Sequence, residues 1–312
     1  REDIFTDGRH AKVKFTKNWK EDSIRRDFTI NSIYSDPYGN IFDPHDGKKD
    51  LENGVLKFIG NADQRVKEDY LRILRYIRFF TNYSKRSHDL ETIRSLKMNI
   101  GGVAQISKER LLDELKKILK VESLEKISKN KLSMDLMLMI FPELKNIKIF
   151  SRLNSDDKNL LKEKDFIFLL SLMIIDDTDN TDYFLYKFNI SKKDKKRIKN
   201  IDIFYKEKIN SKTFTKNSMN KVFYYQGKEA VLDILNYRKV KSKKEANLLK
   251  ELSNYYEDKE APIMPINANL LMKRYEIPQG KQLGEKLKVI EEEWVNNDFK
   301  ISDKEVDNII NN

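Results

Sequence analysis

Over most of the chain apolar side chains return every three or four residues, the spacing that gives a helix one buried face. That period predicts helices over about 63–83, from Ser107 through Leu119, and near 123–140, 157–175, 181–189, 192–209, 215–224, 228–237 and 242–257. Ser107 places a hydroxyl cap before an acidic first turn. A proline-marked linker, Ala261-Pro262-Ile263-Met264-Pro265, precedes two last helices at about 267–275 and 279–297. Residues 1–60 have another texture. Ala11 to Phe15 alternates as a half-buried strand behind the turn Asp7-Gly8, and Ile41-Phe42-Asp43 and Val55–Ile59 read as short strands. Phe28 to Tyr34 reads as helix or strand. No fixed-period repeat occurs, so a regular solenoid is not expected.

Composition agrees with a mainly α protein. Only ten glycines and six prolines occur in 312 residues, too few turn formers for a sandwich or barrel of many short strands, and five of the glycines lie within the first 60 positions. The absence of cysteine removes disulfides, zinc–thiolate sites and thiol catalysis, and fits a reducing, cytoplasmic compartment. The three histidines are His10, His45 and His88, which excludes histidine-based metal chemistry from the rest of the chain. No apolar run is long enough to span a membrane. A net charge of +11 suits a polyanionic partner, although lysines on solvated helix faces give the same arithmetic.

The richest stretch runs from Val66 to Phe80. Asp69, Arg72, Arg75 and Arg78 recur every third residue, which winds them around one side of a helix at about 60° per step. Tyr70, Ile73, Leu74, Ile77 and Phe80 supply the opposite, core-facing stripe. Two readings are open: surface ion pairs of little energetic consequence, or a polar edge that reads a base and a triphosphate. A carboxylate accepts from an exocyclic amino group while a guanidinium donates to the adjacent ring acceptor. Cytosine and adenine both offer that pair; uracil and guanine present a carbonyl and a ring N–H there instead. An Asp/Arg pair therefore accepts C and A and rejects U and G without a nucleic-acid template. Further arginines suit phosphates.

A second cluster, Glu21 to Asn31, contains Asp22, Arg25, Arg26, Asp27 and Asn31, and a third runs from Asp43 to Gly54, where His45 reads as a loop histidine. Asp177 and Asp179 have the spacing of paired metal ligands but lie in a polar loop that lacks the other features of a calcium loop. Lysine-rich runs, Lys192, Lys193, Lys195, Lys196, Arg197 and Lys199, then Arg238, Lys239, Lys241, Lys243 and Lys244, are candidates for an RNA backbone. Gly280 and Gly284 are expected to permit close helix packing.

RRDFTINSIY, DPHDGKKDLENGVLKFIG and RVKEDYLRILRYIRFF, in that order, resemble the consecutive motifs of the bacterial class II tRNA nucleotidyltransferase and poly(A) polymerase family. ISKERLLDELKKIL (Ile106–Leu119) resembles the next motif, and Pro265–Trp294 is similar to the tail of CCA-adding members. The resemblance covers residues 1–120 and roughly 262–300. It implies a remnant of an α/β nucleotidyltransferase head (1–60), a helical neck carrying the nucleotide-reading helix (61–122), a helical body (123–260) and a helical tail (261–312). It implies that Arg26 contacts the incoming nucleotide, that Asp69 and Arg72 form the template for C and A, and that Arg75 and Arg78 help hold the nucleotide. Arg25, Asp27 and Asn31 would support the site, and Asp43 to Asp50 would be a hinge that resizes the pocket.

By the same resemblance the activity is addition of C and A from CTP and ATP to the tRNA 3′ end, with Mg²⁺. The family's metal ligands, an Asp-x-Asp pair after a glycine-rich segment, do not occur in this sequence, so no metal-binding or catalytic carboxylate is assigned and the Mg²⁺ ligands are expected upstream of residue 1. Arg1 in place of Met, within what reads as the middle of a strand, agrees with a start further upstream. With no histidine after His88, the phosphohydrolase domain that some members carry is excluded. The alternatives are poly(A) polymerase, a partial CC- or A-adding enzyme, an inactive RNA-binding fragment, or one half of a split enzyme whose partner chain supplies the rest.

Overall fold

The computed structural model describes residues 2–6, 11–14, 18–206, 214–242 and 245–311. The expected turn at Asp7-Gly8, and Lys243 and Lys244 of the second basic run, lie outside them. The chain forms two compact units, Arg1–Ile174 with Asp182–Asn189, and Ile175–Thr181 with Ile190–Asn312.

The first unit opens with an antiparallel pair, β1 (Glu2–Thr6) and β2 (Ala11–Lys14), Glu2 opposite Lys14 and Thr6 opposite Ala11. Next come α1 (Trp19–Ile24), a 3₁₀ turn at Thr29–Asn31, a second pair β3 (Tyr34–Ser35) and β4 (Ile41–Phe42), and α2 (Gly47–Glu52). The strand expected over Val55–Ile59 does not form. Only Phe58 pairs, in a single antiparallel bridge to Phe28, because its ring turns inward to pack on the Phe28 ring at 4.7 Å. Helices follow: α3 (Ala62–Glu68), α4 (Arg72–Tyr83), α5 (Leu90–Met98), α6 (Lys108–Ile118), α7 (Val121–Lys129), α8 (Lys131–Ile140), α9 (Ser155–Lys162), α10 (Phe166–Ile174) and α11 (Asn180–Lys187).

Three expected helices prove to be pairs. At Asn130 the side chain accepts the Ser133 N–H and starts α8 afresh, and at Asp165 the carboxylate caps α10 through the Phe168 N–H. The third break falls at Asp69, inside the span expected over 63–83. Its backbone is extended, φ −153° and ψ 106°, and its Oδ1 accepts the Leu71 N–H. A short acidic side chain that bonds the backbone two residues on competes with helix continuation. Ser107 caps α6 as expected, accepting from the Arg110 N–H.

α4 is the centre of this unit. Ile73, Leu74 and Ile77 are fully buried, each side chain of that kind stabilising by roughly 1.5–3 kcal/mol relative to exposure. Tyr76 stacks on Phe58 and Phe80 and its hydroxyl lies 3.1 Å from His88 Nδ1, while the other ring nitrogen of His88 reaches Ser133 Oγ at 2.8 Å. Burial depresses the His88 pKa below its ordinary value.

The second unit holds α12 (Lys192–Lys206), α13 (Lys216–Gln226), α14 (Lys228–Lys241), α15 (Ala246–Glu257), α16 (Ala268–Tyr275), α17 (Lys281–Asn296) and α18 (Asp303–Asn311), the last not anticipated from the sequence. Leu271, Leu283, Ile290 and Val306 form the apolar centre of the final three helices. Tyr224 and Tyr225 both donate to Glu291, tying α13 to α17. Close packing at Gly280 and Gly284 is not found. A Cβ at either would meet nothing within 4 Å, because both glycines lie on the solvent side where α17 begins.

Candidate nucleotide-reading site

The motif-bearing residues converge at the start of α4. Arg72 opens the helix, and the break before it turns its side chain inward toward the head segment. Arg72 is only 9% exposed, so the solvent-facing stripe expected for the arginines is not what forms. Its Nε donates to Asp27 Oδ1 at 2.7 Å, and its Nη1 donates to the Arg65 carbonyl (2.6 Å) and to Glu68 Oε2 (2.5 Å). Asp27, itself 6% exposed, is also approached by Arg75 Nη2, 2.5 Å from Oδ2. That contact is charge attraction without hydrogen-bond geometry, since Oδ2 remains without a hydrogen-bond partner.

Arg65 completes the cluster. Its Nη2 donates to the Arg26 carbonyl at 2.6 Å and its Nη1 to Glu68 at 2.5 Å. Burial, reinforced by the neighbouring Arg72 charge, lowers the Arg65 pKa. Arg65 Nε and Arg75 Nε, like Asp27 Oδ2, are buried and unpartnered. Buried polar atoms normally find partners. Here three do not, all within this one cluster of charged side chains.

The other expected residues surround this centre. Asp69 lies at the break and not on the helix, and its Oδ2 pairs with Arg110 Nη2 at 2.9 Å at the partly exposed rim. Arg78, two turns further along α4, donates to the buried Glu114 at 2.5 Å and lies over the Phe79 ring. Arg26 is half exposed. It donates twice to Asp22 Oδ2, at 2.9 and 3.2 Å, beside the Tyr34 ring and the Tyr34 hydroxyl that bonds the same oxygen. Burial works to raise the Asp22 pKa, but the bonds from Tyr34 and Arg26 outweigh it and hold the carboxyl below its ordinary value. Arg25 makes a longer pair with Asp22 at 3.4 Å, and Asn31 caps the 3₁₀ turn by accepting the Phe28 N–H.

Sequence reasoning placed Asp22 in the second cluster but missed Arg65, Glu68, Arg110 and Glu114 as members of this network. Glu68 was legible, since an acid four residues before an arginine is the favourable helical order. Arg110 and Glu114 come from 41 and 36 residues away and carry no local signal. In the segment Asp43 to Asp50, the Asp43 carboxylate accepts the Gly47 and Lys48 N–H groups, while Asp50 accepts from Thr29 Oγ1. Gly47 is required there, because a Cβ would fall 2.1 Å from the Thr29 carbonyl oxygen. His45 Nε2 lies 2.9 Å from Ser23 Oγ.

Among the described residues no group of three or more His, Asp or Glu side chains could hold a metal ion. The described residues therefore do not fit the Mg²⁺ implied by the resemblance.

A family model described as the poly A polymerase head domain matches residues 1–57, and one described as tRNA nucleotidyltransferase domain 2 matches residues 159–306. The mouse mitochondrial CCA tRNA nucleotidyltransferase 1 is 31% identical over 97% of this chain and 69% of its own length. The chain belongs to the CCA tRNA nucleotidyltransferase family. Its human member is 50% identical over 38% of this chain and 27% of its own length, and the CCA-adding enzyme of Ligilactobacillus salivarius 29% over 96% and 72%. The family fold is also seen in solved structures. The Bacillus stearothermophilus CCA-adding enzyme in complex with CTP superposes with a TM-score of 0.64 at 21% identity, over 92% of this chain and 72% of that one. The Thermotoga maritima enzyme complexed with tRNA gives 0.62 at 20% identity, over 94% and 73%. The mainly α architecture with a small α/β opening is thus that of the family.

Proposed function

We propose that this chain acts in the addition of C and A to the tRNA 3′ end from CTP and ATP, and that the cluster at the start of α4 selects the base. The observation that carries this reading is the bonding state of Arg72. Its Nε and Nη1 are committed to Asp27, Arg65 and Glu68, which fixes the plane of the guanidinium, while Nη2 has no partner among the described residues. A planar fork held on one edge presents the two remaining N–H groups in a set direction. Cytosine offers a ring nitrogen and a carbonyl to receive them, and adenine a ring nitrogen. Asp69 has one bond on each oxygen and spare lone pairs, so it can accept from the amino group of either base.

Uracil and guanine would set a ring N–H against Arg72 and a carbonyl against Asp69. In a partly dehydrated site each mismatch leaves a buried group unpaired, which costs about 1–3 kcal/mol. Arg75 is placed to hold the nucleotide through the N–H groups left free by its loose pairing with Asp27, and Arg26 through its exposed guanidinium. Arg78, committed to Glu114, supports α4, as Arg25, Asp27 and Asn31 support the head segment. On this reading residues 1–60 are head, 61–122 neck, 123–260 body and 261–312 tail. We place the work in the cytoplasm, on the cysteine-free composition; no helix among the described residues is long and apolar enough to cross a membrane.

The test is equilibrium binding of the four nucleoside triphosphates to the full chain. CTP and ATP should bind at least tenfold tighter than UTP and GTP, and Asp69→Ala should remove that preference. Equal affinity for all four would overturn the assignment.

A further inference from the structure

Beyond the base-reading cluster, the far end of α4 forms one wall of a concavity of about 400 Å³ within the first unit. Four cations line it, Lys85, Arg86, Lys126 and Lys129, and no Asp or Glu does. Lys129 is engaged by Glu125 at 2.6 Å. The other three have no carboxylate partner among the described residues. Lys126 Nζ donates to the Thr81 carbonyl at 2.6 Å, and Arg86 Nε donates weakly to the Asn53 carbonyl at 3.3 Å.

Attraction to the negative end of α4 accounts for Lys126 alone. Arg86 reaches a carbonyl of a different segment, and the Lys85 ammonium has no partner among the described residues. The loop that carries them is pinned in place: Ser84 Oγ and the Lys85 N–H both donate to the Gly54 carbonyl, at 3.0 and 2.9 Å. Opposite, Asn130 and Ser133 bring the N-terminal turn of α8, the positive end of a ten-residue helix, into the same wall. Unneutralised like charges around a hollow repel one another, and a bound anion removes that repulsion.

We propose that this concavity seats a backbone phosphate of the RNA substrate. The inference rests on the reading of the chain as a tRNA-processing protein and adds a contact surface to it, distinct from the lysine runs of the second unit. The side chains involved are exposed and long, suited to phosphate and not to the edge of a base, so the contact fixes position without reading sequence. Thr81 lies nine residues beyond Arg72 on α4, about 14 Å along the helix axis at roughly 1.5 Å per residue. A phosphate held there would brace the strand whose end is being read.

The experiment is fluorescence anisotropy of labelled tRNA lacking its CCA end, titrated with the full chain between 50 and 300 mM KCl. It compares the wild type, a patch variant (Lys85→Gln, Arg86→Gln, Lys126→Gln) and a control losing the same charge elsewhere on the first unit (Lys57→Gln, Lys145→Gln, Lys148→Gln). The patch variant should bind about 10- to 100-fold more weakly at 100 mM KCl, with a log–log salt slope shallower by about two to three. The control should change affinity less than threefold. Wild-type affinity and slope in the patch variant, or equal losses in patch and control, would overturn the proposal and leave the tRNA reading standing. Absence of tRNA binding by the wild type would overturn that reading, and the proposal with it. Calorimetry with inorganic phosphate forms a second arm. Phosphate binding that the patch variant loses, with tRNA affinity intact, would assign the concavity to a free anion and overturn the RNA contact.

Discussion

Asp27 and Arg72 form a buried ion pair, Oδ1 to Nε at 2.7 Å, across 45 residues of sequence. The pair joins the segment before the 3₁₀ turn to the first turn of α4 and sets the plane of the Arg72 guanidinium. Its side chains are 8% and 11% exposed. Removing one member strands the other charge away from water, which costs about 3–5 kcal/mol. Asp27→Ala should therefore lower unfolding free energy by about that much in urea titrations. Asp27→Asn, which keeps the shape, should lose less stability yet still weaken CTP binding at least tenfold. If Asp27→Asn binds CTP as the wild type does, the carboxylate does not position Arg72.

Asp69 should behave in the opposite way. Its pairing with Arg110 is at the rim, with the two side chains 33% and 54% exposed, and exposed pairs contribute about 0–1 kcal/mol. Asp69→Asn, which keeps the oxygen that accepts the Leu71 N–H, should leave the thermal midpoint within about 2 °C of the wild type, while the preference for CTP over UTP falls at least tenfold. Arg110→Ala should alter stability as little and keep the preference. A matching loss of preference in both variants would mean that the ion pair, and not the Asp69 carboxylate, governs base choice.

The helical period marked most of the elements, and the order of motifs pointed to the candidate site, but neither showed how the cluster is built. Every third residue from Asp69 to Arg78 reads as one face of one helix. The Asp69 side chain instead takes the Leu71 N–H and ends α3, so Arg72 points inward from the first turn of a new helix. The choice between continuing a helix and forming such a turn depends on whether the interrupted backbone finds tertiary partners. The partner supplied here, Asp27, lies far away in sequence. The same holds for Glu114 on Arg78 and for Phe58, whose side chain packs inward where alternation suggested a strand. Arg25, Arg26, Asp27 and Asn31 were recognisable as a cluster within Glu21–Asn31, but the division of labour among them is set by Asp22, inside that cluster, and by Arg65, which no pattern singled out.

Gly102 tests the break from its other side. A Cβ there would lie 2.1 Å from the Tyr70 ring, the residue that follows Asp69. Gly102→Ala must move either Tyr70 or the 3₁₀ turn at Ile100–Gln105. Overpacking of this kind costs about 1–3 kcal/mol. Calorimetry should show that loss, and base preference should fall because the displaced ring belongs to Tyr70, the residue next to Asp69. The double variant Gly102→Ala with Tyr70→Ala should recover stability relative to Gly102→Ala alone. A coupling near zero in the cycle would show that the ring is not the obstacle.

Lys241 gives a prediction free of any assumption about function. It lines a cavity of about 350 Å³ in the second unit, with its ammonium 5.8 Å from the Tyr205 ring centre and 5.6 Å from that of Tyr237. Burial pushes its pKa down to about 8, and the charges of Asp176 and Asp177 only partly oppose the shift. The unfolded chain holds this proton up to about 10.5, the ordinary lysine value. Between pH 8 and that limit the unfolded state binds more protons than the folded one, so stability contributed at this position rises with pH. Below pH 8 both states are protonated, and the folded state carries the full penalty of a buried charge. The rise is at most about 1.4 kcal/mol per pH unit. Burial raises the pKa values of Tyr205 and Tyr237 above the ordinary tyrosine value. Unfolding free energies at pH 7, 8, 9 and 9.5 should therefore converge between wild type and Lys241→Met, with the variant the more stable at pH 7. A gap between the two that stays constant across the series would show that the lysine keeps its proton in the fold.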